Sequence, residues 1–186
     1  MTNENDNIRR KLRTDEMQRL STDEFKQATK ITLQLVIDNL RSMHNVGSVF
    51  RSADAFRVSH IHLCGHTPVP PHKGIHKTAL GATESVDWSY HKRTVDVVNA
   101  LKSKGVKVYC LEQTQNSIAL EDFCKELHVD ETVALVLGNE VSGVDQDVID
   151  ASHGAVEIPQ YGTKHSLNVA VSAGIAIWAV AQKLQK

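Results

Sequence analysis

Cysteine is scarce in this sequence. Cys64, Cys110 and Cys124 form no CxxC pair, and three thiols cannot all pair within one chain. Neither a disulfide framework nor a cysteine zinc site is expected, and the thiols read as reduced, as in a cytoplasm. Long apolar runs are missing too. The first residues, MTNENDNIRRKLR, hold no apolar core like that of a signal peptide, and the longest apolar run, Val169 to Ala181, contains Ser172 and is too short to span a bilayer. Neither sign of charge dominates: 21 Lys and Arg stand against 22 Asp and Glu, a net of -1, which argues against a protein held on nucleic acid by bulk charge. Several stock signatures are absent, among them GxGxxG after a strand, the GxSxG elbow and HExxH. Gly138 and Gly143 have the outer spacing of a phosphate-binding P-loop, yet Val144 and Asp145 stand where Lys and Ser or Thr would hold phosphate and magnesium. No internal repeat or low-complexity segment is visible.

What remains is an ordinary globular composition. At 186 residues and 41% hydrophobic, the chain is long enough to bury a real core, and one compact domain is the default. Its charge is unevenly spread. Residues 41–93 carry seven Lys and Arg against three Asp and Glu, with seven of the ten His, while residues 94–160 carry four against twelve. Any contact with a phosphate backbone should use the first segment.

Residues 1–7 are polar and read as disordered, and Ile8 to Lys30 reads as one or two amphipathic helices, with Ser21 and Glu24 spaced as a capping box. Residues 1–30 thus form a helical extension ahead of a domain at 31–186. From Thr32 onward short apolar runs alternate with helical stretches. Strands are expected at 32–38, 61–64, 106–112, 133–137 and 155–159. Helices are expected where Val46, Val49, Phe50 and Ala53 share a face, around 75–80, at 94–104 with Gly105 as its stop, at 145–152, and from Leu167 to about Leu184 with Ser166 as its cap. The continuously apolar strands suit an α/β fold whose mostly parallel sheet is flanked by helices, with ligands beyond the carboxyl ends of the strands. The last helix is apolar nearly all round. It needs more than one partner, either inside the monomer or on a second subunit.

His60 and His62 share a strand face, and His72 and His76 share a helix face. No carboxylate or thiol falls at ligand spacing beside both pairs, so they read as solvated or RNA-facing residues and no metal is assigned. Three polar clusters carry more information: NVGSVFRSADAF at 45–56, LGNEVSG at 137–143 and IPQYGTKHSLNVAVSAG at 158–174. Each lies near a strand's carboxyl end. Taken singly, Asn45 and Ser166 could be caps, Arg51 a surface charge and Glu140 a partner of a helix dipole.

Together and in this order, the three clusters resemble the signature motifs of the SpoU, or TrmH-like, ribose 2′-O-methyltransferases of the SPOUT class. The matching residues are Asn45, Gly47, Arg51 and Ala53, then Leu137-Gly138-Asn139-Glu140 with Gly143, then Ile158-Pro159, Gly162 and Ser166-Leu167-Asn168-Val169. Ala170 and Ser172 stand where relatives often have Ser and Ala. The resemblance covers about 33–182 and implies a C-terminal trefoil knot, S-adenosylmethionine bound in it, and an obligate homodimer. It also implies transfer of a methyl group to an RNA ribose 2′-hydroxyl, with transfer RNA slightly favoured over ribosomal RNA because only about 30 residues precede the core. By the same resemblance Arg51 is the candidate base, although a guanidinium stays protonated in proteins and an electrostatic role is equally admissible. Asn45 and Asn168 would bond the ribose or Arg51, Glu140 would orient Arg51, and Ser166 would contact the ligand. Gly138 would let the backbone approach the donor, and Leu111, Ile158 and Leu167 would enclose the adenine. Two other readings stay open: a catalytically silent RNA-binding or assembly factor on the same fold, and a doubly wound nucleotide- or flavin-binding domain.

Overall fold

A computed structural model describes residues 10–185. The expected disorder of residues 1–7, and the start of the expected helical segment at Ile8, lie outside the described residues. The segment that follows forms a 3-10 turn at Thr14–Met17 and a helix α1, Thr22–Gln27. The capping box closes as its spacing predicts, with the Ser21 hydroxyl accepting from the Glu24 N–H and the Glu24 carboxylate accepting from the Ser21 N–H at 2.8 Å. Phe25 of α1 is buried in the main core, so this segment packs on the domain.

Seven strands form one sheet in which every pairing is parallel: β1 Ile31–Asp38, β2 Val58–Cys64, β3 Trp88–His91, β4 Lys107–Leu111, β5 Ile118–Ala119, β6 Val133–Leu137 and β7 Gly154–Glu157. Their order is β3-β2-β1-β6-β4-β7-β5. β1 and β6 lie at the centre in register Leu33↔Val133 to Ile37↔Leu137, and every residue of β6 is buried. A strand covered on both faces has no room for polar alternation, which is why VALVL reads as a bare apolar run. Successive side chains point to opposite faces. Leu33, Leu35, Ile37, Leu135 and Leu137 join one core with α2 (Met43–Ala55) and α8 (Val169–Leu184), whereas Val36, Ala134, Val136 and Val108 join another with α5 (Thr94–Ser103) and α7 (Gln146–Ala151). Burying each such leucine contributes about 1.5–3 kcal/mol.

Between β2 and β3 lie two short helices, α3 Lys73–Ala79 and α4 Ala82–Ser85, and α6 Leu120–Glu126 follows β5. Strands β3 and β5 and helices α4 and α6 were not expected from sequence. Each is short, and Trp-Ser-Tyr-His, although it alternates aromatic and polar residues, is too brief a run to mark an edge strand.

The terminal helix differs from expectation at its start. Asn168, not Ser166, is its cap: the Asn168 Oδ1 accepts from the Ala170 N–H at 2.9 Å and the helix begins at Val169. Ser166 remains in the preceding loop, two residues too early for its short hydroxyl arm to meet the first free amides. The helix buries Ala173, Ala176, Ile177, Val180, Ala181 and Leu184 within the chain. Its other side, with Val171, Ile175 and Trp178, is exposed, Val171 by 52% and Trp178 by 55%. No described helix is long and apolar enough to cross a membrane.

Candidate active site

The carboxyl ends of β4, β6 and β7 open into one cavity of about 750 Å³. In the sheet β4 lies between β6 and β7, and open α/β sheets hold their ligands beyond the carboxyl ends of their strands. Leu111, Gly138, Ile158, Ser166 and Leu167 all line the cavity, as do Glu140 and Asn168. Asn45 reaches it through its partners, and Arg51 is not in its wall.

The loop after β6 is held by Asn139, which is only 9% exposed. Its backbone exchanges hydrogen bonds with Gly143 at 2.8 and 2.9 Å, its Oδ1 accepts from the Val141 N–H at 2.9 Å, and its Nδ2 donates to the Asn39 carbonyl at 2.6 Å. This fold-back requires two glycines. A Cβ on Gly138 would lie 2.3 Å from the Gly143 carbonyl carbon and the Val144 nitrogen, and Gly143 has φ +71°.

Asn45 joins the three clusters. From the first turn of α2 its Nδ2 donates to Glu140 at 2.9 Å, while its Oδ1 accepts from the Asn168 Nδ2 at 3.3 Å. Glu140 does not pair with Arg51, contrary to expectation. Its carboxylate accepts instead from the Arg41 and Ser42 N–H groups, both at 3.0 Å, and so closes the N-terminal end of α2. Unpaired amides at a helix start compete well for a carboxylate. Burial pushes the Glu140 carboxyl up, but the hydrogen bonds from Arg41, Asn45 and the local backbone outweigh it and hold the group below the usual carboxylate range. Glu140 is therefore an anion whose lone pairs are already engaged, suited to position Asn45 and poorly suited to take a proton. Arg51 stands exposed six residues along α2 from Asn45, about 9 Å by helical rise. It makes no hydrogen bond or ion pair among the described residues.

Sequence reasoning missed Glu112 and Gln113, which directly follow β4. The Glu112 carboxylate accepts from the Val144 N–H at 3.1 Å, and the Gln113 Nε2 donates to the His165 carbonyl at 2.9 Å. The pair thus fastens both cavity loops to one strand end. The signal was a polar pair at the carboxyl end of an apolar strand, the same placement that singled out the other clusters.

A second polar cluster lies along the strands themselves. His62 places Nδ1 3.2 Å from His91 Nε2 and Nε2 2.9 Å from Gln34 Oε1, and the Ser89 hydroxyl lies 2.8 Å from both His60 Nε2 and His91 Nε2. Burial, then the neighbouring imidazoles His60 and His91, lowers the His62 pKa to about 3. His60 and His62 are thus knitted to β3 rather than solvated. His72 and His76 lie apart on α3. No group of three or more His, Cys, Asp or Glu among the described residues is arranged to hold a metal ion.

The profile of the SpoU rRNA Methylase family matches residues 32–178, and the chain belongs to that family. A putative TrmH family tRNA/rRNA methyltransferase of Staphylococcus aureus (strain MSSA476) is 28% identical over 158 residues, which are 85% of this chain and 62% of that protein. A tRNA (guanosine(18)-2′-O)-methyltransferase of Borreliella burgdorferi is 24% identical over 176 residues, covering 89% of this chain and 76% of its own. Among solved structures, the A. aeolicus TrmH/SpoU tRNA modifying enzyme superimposes with a TM-score of 0.74 at 23% identity, over 86% of this chain and 78% of that one. The AdoMet-bound rRNA methyltransferase of Sinorhizobium meliloti gives 0.75 at 25% identity, over 91% and 63%. The chain spans less than two thirds of the length of the Staphylococcus relative and of the Sinorhizobium structure.

Proposed function

We propose that this protein is an S-adenosylmethionine-dependent RNA methyltransferase that methylates a ribose 2′-hydroxyl, with transfer RNA slightly favoured over ribosomal RNA. The observation that carries the reading is the single cavity onto which motifs two and three open and to which Asn45 ties motif one. Its volume of about 750 Å³ lies within the usual range of about 300–1,000 Å³ for small-molecule sites. Its walls suit a donor held without a phosphate motif. Leu111, Ile158 and Leu167 offer apolar surface for an adenine, and the tight Gly138 turn brings backbone groups to the rim. When bound, S-adenosylmethionine supplies an electrophilic methyl group on a sulfonium.

This chain's residues would do the rest. A ribose hydroxyl is a weak nucleophile that must be aligned and must lose a proton. Asn45 and Asn168, already linked to each other, are placed to orient the ribose, with Glu140 as the positioning residue that fixes Asn45. Ser166 lines the cavity and forms no hydrogen bond among the described residues, which leaves its hydroxyl open to a ligand. Arg51 would stabilise the developing alkoxide or engage a neighbouring phosphate once RNA is in place.

The shared topology with SpoU-type structures supports a trefoil knot at the C-terminal end of a domain at 31–186, with 1–30 as its extension. The exposed stripe Val171, Ile175 and Trp178 on α8 supports a homodimer built on that helix. Three free cysteines, Cys64 and Cys110 buried, fit the reducing cytoplasm. The exposed position of Arg51 favours one competing reading, a catalytically silent RNA-binding factor on the same fold. Incubation with labelled S-adenosylmethionine and separated RNA pools decides between them. Label in a ribose 2′-O-methylated nucleotide is the expected result. Donor and RNA binding without transfer to any pool would select the silent factor.

A further inference from the structure

A second cavity, of about 590 Å³, opens on the α3, α4 and β3 side of the sheet, and nothing in the proposed chemistry uses it. Its apolar lining is built from Ile75, Pro70, Pro71 and the half-buried Trp88, which packs on the main core. Its rim is cationic. Lys73 and Lys77, one helical turn apart, are exposed and form no ion pair among the described residues, and His72 and His76 repeat the spacing beside them. Glu84 is the one carboxylate in the lining.

The cavity adjoins the candidate active site through a tight helix contact. At Gly47 of α2 a Cβ would lie 2.1 Å from Thr78 Oγ1 and 2.3 Å from the Ile75 carbonyl oxygen, so α3 lies directly on α2. Thr78 donates to the His44 carbonyl at 3.0 Å, and Gly74 abuts Met43, two residues from Asn45. The start of α2, which carries Asn45, is thus in direct contact with α3, which lines the second cavity.

An aromatic ring with aliphatic walls under a cationic rim is the chemistry of an unpaired nucleotide, whose base stacks while its phosphates meet ammonium groups. We propose that this cavity takes an unpaired RNA nucleotide near the one to be methylated, its base against Trp88 and its phosphates on Lys73 and Lys77. The inference rests on the RNA-methyltransferase reading and adds a base-reading pocket to it.

The test uses the full chain, a labelled mixed-sequence single-stranded oligoribonucleotide, and the same sequence as a duplex, with S-adenosylmethionine calorimetry on every variant. The double variant Lys73→Gln/Lys77→Gln should weaken single-strand binding tenfold or more and lower the slope of log affinity against log salt by about 1.4, the value for two lost phosphate contacts. Thr83→Trp, which fills the cavity without changing charge, should weaken single-strand binding by about tenfold while sparing the duplex, whose paired bases cannot enter. Glu84→Gln, an exposed change, should strengthen binding about twofold, a gain that misfolding cannot produce. S-adenosylmethionine affinity should be unchanged throughout. Single-strand affinities within twofold of wild type for both the lysine and the Thr83 variants would overturn the pocket and leave the methyltransferase reading standing. Loss confined to the lysine variant would reduce the site to a charged surface and also overturn it. A wild-type chain that binds S-adenosylmethionine but neither RNA would overturn the pocket and the RNA reading together.

Discussion

Two of the polar side-chain networks among the described residues behave differently. Around Asn45, Glu140 and Asn168, hydrogen bonds tie together segments 95 and 123 residues apart in sequence, yet the network faces a cavity. Around His60, His62 and His91 the partners are Gln34 and Ser89, and the network closes on itself between neighbouring strands. The first lies beyond the strands, where side chains from several elements converge without a ladder to join. The second lies within the strands, where each imidazole has a cross-strand neighbour to satisfy it. At the cavity the Ser166 hydroxyl is left for a ligand, while along the strands the histidine network engages its polar groups with one another.

This contrast breaks most readily at Gly138. Gly138→Val places side-chain atoms where the Gly143–Val144 backbone runs, so calorimetry should find S-adenosylmethionine binding abolished, while the histidine network and its pH response persist. Arg51→Ala should come next. Turnover on the true RNA should fall by on the order of a hundredfold, with donor affinity within a few fold. Methylation at the wild-type rate would make Arg51 a surface charge and pass catalysis to Asn45, Ser166 and Asn168.

The histidine network should be silent in activity and visible in stability. His62 has its folded pKa depressed to about 3 from 6.5, so folding favours the neutral ring. The stabilisation is complete above pH 6.5 and is lost as the pH falls from 6.5 towards 3. Urea unfolding at pH 7.5 and pH 5 should differ by at most about 2 kcal/mol from this group, less where water screens it. His62→Gln should remove that part of the slope, and an unchanged slope would assign the titration elsewhere. Ser89→Ala gives the smallest effect, about 1 kcal/mol at neutral pH from lost hydrogen bonds, with no change in methyl transfer.

The central strands and the helices that follow them were legible because burial on two faces leaves an unmistakable apolar run. The cavity-lining glycines and Asn168 were legible because strand ends carry few polar residues without reason. Three features were not. Asn168 caps α8 in place of Ser166, since cap choice depends on where the loop turns. Glu140 closes α2, since the groups that displace Arg51 from its carboxylate are backbone amides that no residue pattern displays. His91 joins His60 and His62 only through β3, whose four residues are too few for their alternation to mark a strand.

The sheet order has a consequence for how the chain is made. β1 gains its second neighbour only when β6 arrives, and Leu33 pairs with Val133 across 100 residues. At about 5–20 residues per second of synthesis, that edge waits roughly 5–20 s, longer than most local folding events. During that time ITLQLVID is a long, largely apolar edge strand with one side unpaired, a template for another nascent copy as much as for β6. The newborn chain should therefore be most prone to aggregation between completion of β2 and release of β6, and a polyribosome is where its yield is decided.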